Sequence, residues 1–225
     1  MSPLTKKALL ACLQTVGFAA IAIFVAAWSL DFWEAWVYLL VFSGTTVSVT
    51  LYFLKHDPAL IERRMAGGPR VEKEKSQKII MTFAFVLMFA LWIVPGLDHR
   101  WHWSAVPPAV VLVADLLVTL GILSIFYVFK ENSYAASTVQ VEKDQPVISS
   151  GPYAWIRHPM YAACFPYLIG TPLALGSMAG ILPALLLYGV IVIRLLEEER
   201  YLAKNLPGYQ AYCQKVLYRL IPNVW

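Results

Sequence analysis

Two clusters in this chain combine residue types and spacings suited to chemistry. One is Gly151-Pro152-Tyr153-Ala154-Trp155-Ile156-Arg157-His158-Pro159-Met160-Tyr161; the other is Arg194 with Glu197-Glu198-Glu199. His158 precedes a proline, so its backbone is extended and Pro159 suits the first turn of a helix. The N–H groups of that turn lack intrahelical partners and, with the helix dipole, favour an anion; Arg157 and His158 add donors there. Arg194 and Glu198 stand four apart and share one helical face. A carboxylate so placed can hold an ammonium or a sulfonium, and the guanidinium can hold an anion through a forked hydrogen bond. Together the clusters read as a clamp for a molecule carrying both an amino group and a carboxylate. That points to an enzyme.

Plainer readings stand beside these. Arg157 can be an anchor that snorkels to lipid headgroups. Glu197, Glu198 and Glu199 can form a solvated helix end in which Arg194 and Glu198 make an ordinary surface pair. Asp115 falls near the middle of an apolar run, where an ionisable residue is a functional candidate, though it can equally bond a neighbouring helix. Asp98, His99 and His102 fall in a Trp-rich loop and read as a wet interface rather than a metal site.

The elements that must position these residues are apolar. The chain is 59% hydrophobic and 14% charged over 225 residues, with a mean hydropathy of +0.61, beyond the range of an ordinary soluble domain. Its runs are long enough to cross a bilayer, which needs roughly 20 residues per helix. The pattern predicts an all-α, polytopic membrane bundle of about six spans. The first four are expected over 8–30, 33–54, 79–97 and 105–129. A fifth and a longer sixth divide residues 159–196 as a hairpin, with its turn region marked by Gly170-Thr171-Pro172 and Gly176-Ser177. Polar connections cover 55–78, with a Gly67-Gly68-Pro69 break, and 130–157. The chain is expected to divide into N-terminal spans, 1–129, and a catalytic region, 130–225.

Of the 18 Lys and Arg, all but Arg100 fall at the termini, in the two polar connections or at the base of the last helix. The positive-inside rule therefore puts both termini, both connections and the two clusters on the cytoplasmic face of a multi-pass protein. Trp28, Trp33, Trp36, Trp101, Trp103 and Tyr127 fit an interfacial aromatic belt. The run after Lys6 and Lys7 is long and lacks a small-residue cleavage site, so it is expected to be a retained helix. Cys12, Cys164 and Cys213 have neither disulfide-framework nor metal-ligand spacing.

With these residues in view, 132–225 resembles the isoprenylcysteine carboxyl methyltransferase family, related to the phospholipid N-methyltransferases. Gly-x-Tyr-x-x-x-Arg-His-Pro-x-Tyr is matched by Gly151, Tyr153, Arg157, His158, Pro159 and Tyr161. Arg-x-x-x-Glu-Glu-x-x-Leu is matched by Arg194, Glu198, Glu199 and Leu202, and the tail resembles the family at Pro207-Gly208-Tyr209-x-x-Tyr212 and Arg219-Leu220-Ile221-Pro222. The resemblance implies an integral-membrane methyltransferase using S-adenosylmethionine, and no Gly-rich dinucleotide fingerprint opposes this. It implies a cofactor site of Gln145, Pro146, Val147, Ile148, Tyr153, His158, Pro159, Met160, Tyr161 and Glu198. Gln140 is a further contact, Arg157 is taken with this set as an anion donor, and no metal is implied. Arg194 is implied to face a substrate carboxylate. Gln145 replaces a His common in the prenylcysteine enzymes.

The implied reaction is a single in-line displacement onto a lipophilic acceptor, a prenylcysteine-like, isoprenoid or lipid acid, that enters from the bilayer. A carboxylate nucleophile needs no general base; an amine, as in phospholipid N-methylation, makes Glu199 or a water the candidate base. Expected partners are the acceptor and membrane lipids, without nucleic acid or an obligate protein partner. An NADPH-dependent sterol-type reductase is a rival, which the acidic pair after Arg194 disfavours. A non-catalytic scaffold or transporter is another, and no discontinuous-helix repeat supports it.

Overall fold

The computed structural model describes residues 1–67 and 75–225; Gly68 and Pro69 of the expected break lie outside them. Eight α-helices are present among the described residues: α1 (Pro3–Ala27), α2 (Trp33–His56), α3 (Pro58–Met65), α4 (Lys75–Trp101), α5 (Pro108–Glu131), α6 (Pro159–Ala174), α7 (Ile181–Asn205) and α8 (Tyr209–Lys215). Local chemistry sets several starts. Ser2 caps α1 by accepting from Thr5 N at 3.1 Å, and Asp57 caps α3 by accepting from Leu60 N at 3.1 Å. Each cap is followed by a proline in the first turn, as at α5 and α6.

Helices α1, α2, α4 and α5 are long and apolar enough to cross a membrane. Only 22–28% of their apolar windows is buried inside the bundle, so most of that hydrocarbon faces outward. Leu13, Ile21, Leu40 and Val86 are typical exposed positions. In water this surface would be a large liability; in lipid it is the expected exterior. The C-terminal hairpin is shorter in its apolar reach. Helix α6 has 16 residues, and α7 acquires Arg194 and Glu197 to Glu199 in its last turns.

The turn between α6 and α7 occupies 175–180. Gly170, Thr171 and Pro172 are helical, which corrects the expected turn at that triplet. Proline forfeits one backbone bond, but here the neighbouring helix needs the close approach that Gly170 allows. A Cβ on Gly170 would lie 3.0 Å from Ala114 O, and one on Gly121 would lie 2.7 Å from Tyr167 N. These two glycines let α5 and α6 pack as the tightest pair of the bundle. Helices α3 and α8 fall in stretches that the hydropathy pattern treats only as polar connection and tail.

The central core joins Phe32, Tyr38 and Phe42 to Trp92, Ala114, Val118 and Leu175, and Trp92 Nε1 donates to Tyr38 Oη at 3.1 Å. Asp115 is buried beside this core, and neither of its oxygens has a hydrogen-bond partner among the described residues. At the end that carries the 28–32, 102–107 and 175–180 connections, Asp98 is buried. It accepts from Ser104 N at 2.8 Å, Ser104 Oγ at 2.6 Å and Ser177 Oγ. His99 stacks on Phe32 with centroids 3.9 Å apart. This loop is a packed cap at Asp98 and His99, unlike the wet interface its composition suggests; His102, Trp101 and Trp103 remain exposed.

Candidate active site

At the opposite end, the long 132–158 connection folds over the bundle and encloses a cavity of about 110 Å³. Its wall is drawn from the connection, the start of α6, the last turns of α7, and α8. The connection is fastened from several sides. Arg63 at the end of α3 holds Glu142 through Nε and Nη2, at 2.6 and 3.0 Å, and Ser133 O at 3.2 Å. This pairing lowers the Glu142 pKa and raises that of Arg63. Glu142 N donates to Gln145 Oε1 at 3.0 Å, turning the chain so that Gln145, Pro146, Val147 and Ile148 face the cavity.

Tyr153 stands in a short 3₁₀ turn, Gly151–Ala154. Asn132 Nδ2 donates to its Oη at 2.9 Å and Tyr212 Oη donates to its carbonyl at 2.7 Å. Burial pushes the Tyr153 phenol up to about 12, so it stays protonated. Across the cavity, Tyr161 Oη donates to Glu198 Oε2 at 2.5 Å. Glu198 Oε1 accepts no bond from the described residues and Glu198 is the only acidic residue among those lining the cavity. Arg194 is held by Gln77 Oε1 at 3.2 Å and Ser137 O at 2.9 Å.

Of the residues singled out in the sequence, Gln140, Gln145, Pro146, Val147, Ile148, Tyr153, Arg157, His158, Met160, Tyr161, Arg194 and Glu198 all line this one cavity. Two do not. Pro159 is buried at the first position of α6 and acts by starting the helix. Glu199 points to the tail instead. Its Oε1 meets Arg157 Nη1 at 3.0 Å and His158 Nε2 at 3.3 Å, and its Oε2 accepts from Arg219 Nε at 2.7 Å. Burial raises the Glu199 pKa, but His158, Arg219 and Arg157 outweigh it and hold the carboxyl below the usual range. The same knot pins the C-terminal segment, since Arg157 N and His158 N donate to Tyr218 O and Arg219 O at 2.9 and 3.0 Å.

Asn132, Leu202, Leu206, Tyr209 and Tyr212 also line the cavity. Tyr209 and Tyr212 carried a signal, the Pro207-Gly208-Tyr209-x-x-Tyr212 motif. Gln77 carried none, because its partner Arg194 is 117 residues away in the chain.

A second cavity, about 330 Å³ and lined mainly by apolar side chains, opens between α4 and α5, which make little direct contact. Ile80, Met81, Ala84, Phe85 and Met88 form one wall, with Ile125 and Phe129 opposite. The two cavities share Ala136, Met160, Tyr161 and Arg194. A polar chamber and an apolar slot therefore meet at one partition.

Known proteins bear on the same region. Residues 109–207 match the family described as phospholipid methyltransferase. The chain is phospholipid-methyltransferase-like. This methyltransferase-like stretch contains α5, the folded connection, α6 and α7, and so most of the polar chamber's wall. The chain is 34% identical over 76 residues to the protein-S-isoprenylcysteine O-methyltransferase of Schizosaccharomyces pombe, covering 33% of this chain and 32% of that protein. It is 26% identical over 142 residues to the cobalt-zinc-cadmium resistance protein CzcN of Cupriavidus metallidurans, covering 61% of this chain and 58% of that one. The matches thus span about a third and somewhat over half of these two relatives. A solved structure of the eukaryotic intramembrane Ras methyltransferase ICMT aligns over 96% of this chain and 86% of its own, at 19% identity and a TM-score of 0.48.

Proposed function

We propose that this chain is an integral-membrane, S-adenosylmethionine-dependent methyltransferase that esterifies the carboxylate of a lipophilic acid. One observation carries the reading: a polar chamber whose described lining holds a single carboxylate and an apolar slot open between helices share the partition of Met160, Tyr161 and Arg194. A water-soluble donor and a membrane-dissolved acceptor need two such compartments with one meeting point.

The chamber's residues fit the donor. Glu198 offers an oxygen not engaged by the described residues to a sulfonium or ammonium. Tyr153, Tyr209 and Tyr212 supply aromatic faces, and Pro146, Val147 and Ile148 an apolar bed. The first turn of α6 and Arg157 provide donors for a carboxylate. When bound, S-adenosylmethionine supplies an electrophilic methyl, which bonds to an acceptor oxygen while the carbon–sulfur pair stays on sulfur. The protein's own part is to bind both reactants, orient them and exclude water. Arg194, held rigid by Gln77 and Ser137, orients the acceptor's anionic head. No proton moves, which suits a site whose neighbouring carboxylate Glu199 is engaged by Arg157, His158 and Arg219.

The family match favours a second reading, N-methylation of a phospholipid amine. An amine must lose a proton, and among the described lining residues Glu198 is the carboxylate available to take it. Following the basic residues, the chamber faces the cytoplasm and the donor enters there, while the acceptor arrives sideways from lipid.

The deciding experiment is calorimetric binding of S-adenosylmethionine and, separately, NADPH to the full chain in lipid nanodiscs, followed by labelled methyl transfer to lipophilic acids and to phospholipid amines. Binding of the methyl donor with base-labile label on the acid is the expected result. Binding of NADPH alone would overturn the reading in favour of a reductase. Label on the amine would replace the first reading with the second.

A further inference from the structure

The apolar slot holds a cation that the chamber's chemistry leaves unexplained. Arg64, the penultimate residue of α3, reaches into it from outside the methyltransferase-like stretch. Its guanidinium lies over the Phe129 ring, 4.7 Å from the centroid. Its Nη1 makes only long contacts, 3.4 Å to Ala136 O and 3.8 Å to Met160 Sδ. No carboxylate among the described residues pairs with it, and no acidic residue is among those lining the slot. Burial pulls its pKa below the ordinary arginine value, and Arg194 adds to that pull.

Contrast its neighbour. Arg63 makes a two-pronged pair with Glu142. The chain nevertheless spends contacts on placing Arg64: its backbone carbonyl accepts from Ser137 Oγ at 2.6 Å, while Ser137 O accepts from Arg194. One loop residue thus ties the Arg64 backbone and the Arg194 guanidinium to the partition between the cavities. Desolvating a cation without a counter-charge is costly, and a positioned one in an apolar slot is complementary to an anion that arrives with its own apolar tail.

We propose that Arg64 is the anion anchor of the acceptor, binding the carboxylate of a single-chain lipophilic acid whose tail occupies the slot between α4 and α5. Arg194 and Arg64 then grip the carboxylate from two sides at the partition, and Arg64 selects acids over neutral lipids of equal length. The assignment rests on the methyl-transfer reading for the fate of the acid; binding of the acid does not.

The test uses the full chain in nanodiscs at neutral pH and two probes sharing one tail, farnesoic acid and farnesol, with S-adenosylmethionine binding followed in parallel. The parent is expected to prefer the acid by about tenfold or more. Arg64→Gln should abolish that preference, Arg64→Lys should keep part of it, and donor affinity should be the same in all three. An Arg64→Gln protein that still prefers the acid overturns the proposal. Failure of the parent to bind S-adenosylmethionine strikes the methyl-transfer reading alone, because the acid preference is read separately. Should Arg64→Gln not fold, the parent is photo-crosslinked with a diazirine-bearing fatty acid. Labels on α4 between Ile80 and Met88, displaced by farnesoate and not by farnesol, support the anchor. Labels elsewhere, or equal displacement by farnesol, overturn it. Displacement by lysophosphatidylethanolamine but not farnesoate also overturns it, by moving the anion from a carboxylate to a phosphate.

Discussion

At one end of the bundle Asp98 is 2% exposed and three donors from Ser104 and Ser177 converge on it. At the other end Arg64 enters a cavity whose described lining offers no acidic group. Both ends bring charge into an apolar body, which is expensive unless something compensates it. The first end compensates internally and through short turns, so nothing is left for a ligand. The second uses long connections, compensates Arg63 with Glu142 and Arg157 with Glu199, and leaves Arg64 without a carboxylate among the described residues. The lesson is that satisfaction, rather than polarity, separates a structural cap from a candidate site.

The sharpest way to break this contrast is Glu199→Ala. If Glu199 is a strut, removing it strands Arg157 and Arg219 and should destabilise the protein by about 3–5 kcal/mol, seen in thermal unfolding. The protein that remains folded should still bind S-adenosylmethionine. Folded protein that binds the donor normally but transfers no methyl would instead mark Glu199 as a base. Next, Glu198→Ala should weaken S-adenosylmethionine by about 100-fold in calorimetry, through loss of the chamber's charge and of the Tyr161 bond. Unchanged donor affinity would remove the chamber from the reading. At the closed end, Asp98→Ala should cost about 1.5–3 kcal/mol in stability and leave donor affinity alone; a change in affinity would mean that the two ends are coupled.

Smaller effects sharpen the picture. The Glu199 pKa is depressed in the folded chain, so its contribution is full above the ordinary carboxyl value and is lost as pH falls through the lowered one. Melting temperature against pH should therefore drop more steeply on the acid side for the parent than for Glu199→Gln. Parallel profiles would show that the carboxylate adds nothing to the fold. Glu142→Gln should have the least effect, about 0.2–1 kcal/mol, because the Arg63–Glu142 pair is partly solvated.

The membrane class was legible because composition and run length are direct readouts of what a bilayer demands. The chamber was nearly as legible, since much of its wall is built from local motifs between Gln140 and Tyr161, from the last turns of α7 and from the Tyr209-x-x-Tyr212 motif. What resisted were features set by distance in the chain. Glu199 looks interchangeable with Glu198 until the tail returns Arg219 to it. Arg64 looks like half of an Arg63-Arg64 charge pair on a polar connection, and only packing separates the partnered cation from the other. Gly176-Ser177 does mark the hairpin turn, but Gly170-Thr171-Pro172 does not, because small residues that permit helix contact also resemble turn signals.

Helix α6 has 16 residues, which rise about 24 Å against a hydrocarbon thickness of about 30 Å. A helix this short would meet a bilayer of that thickness by local thinning of the lipid, by snorkelling flanks or by association with neighbours. Thinning would then be centred on the helix whose first turn lines the chamber. For an acceptor of the proposed kind that means less height to gain at this corner, and its exchange is expected to slow as the host bilayer thickens.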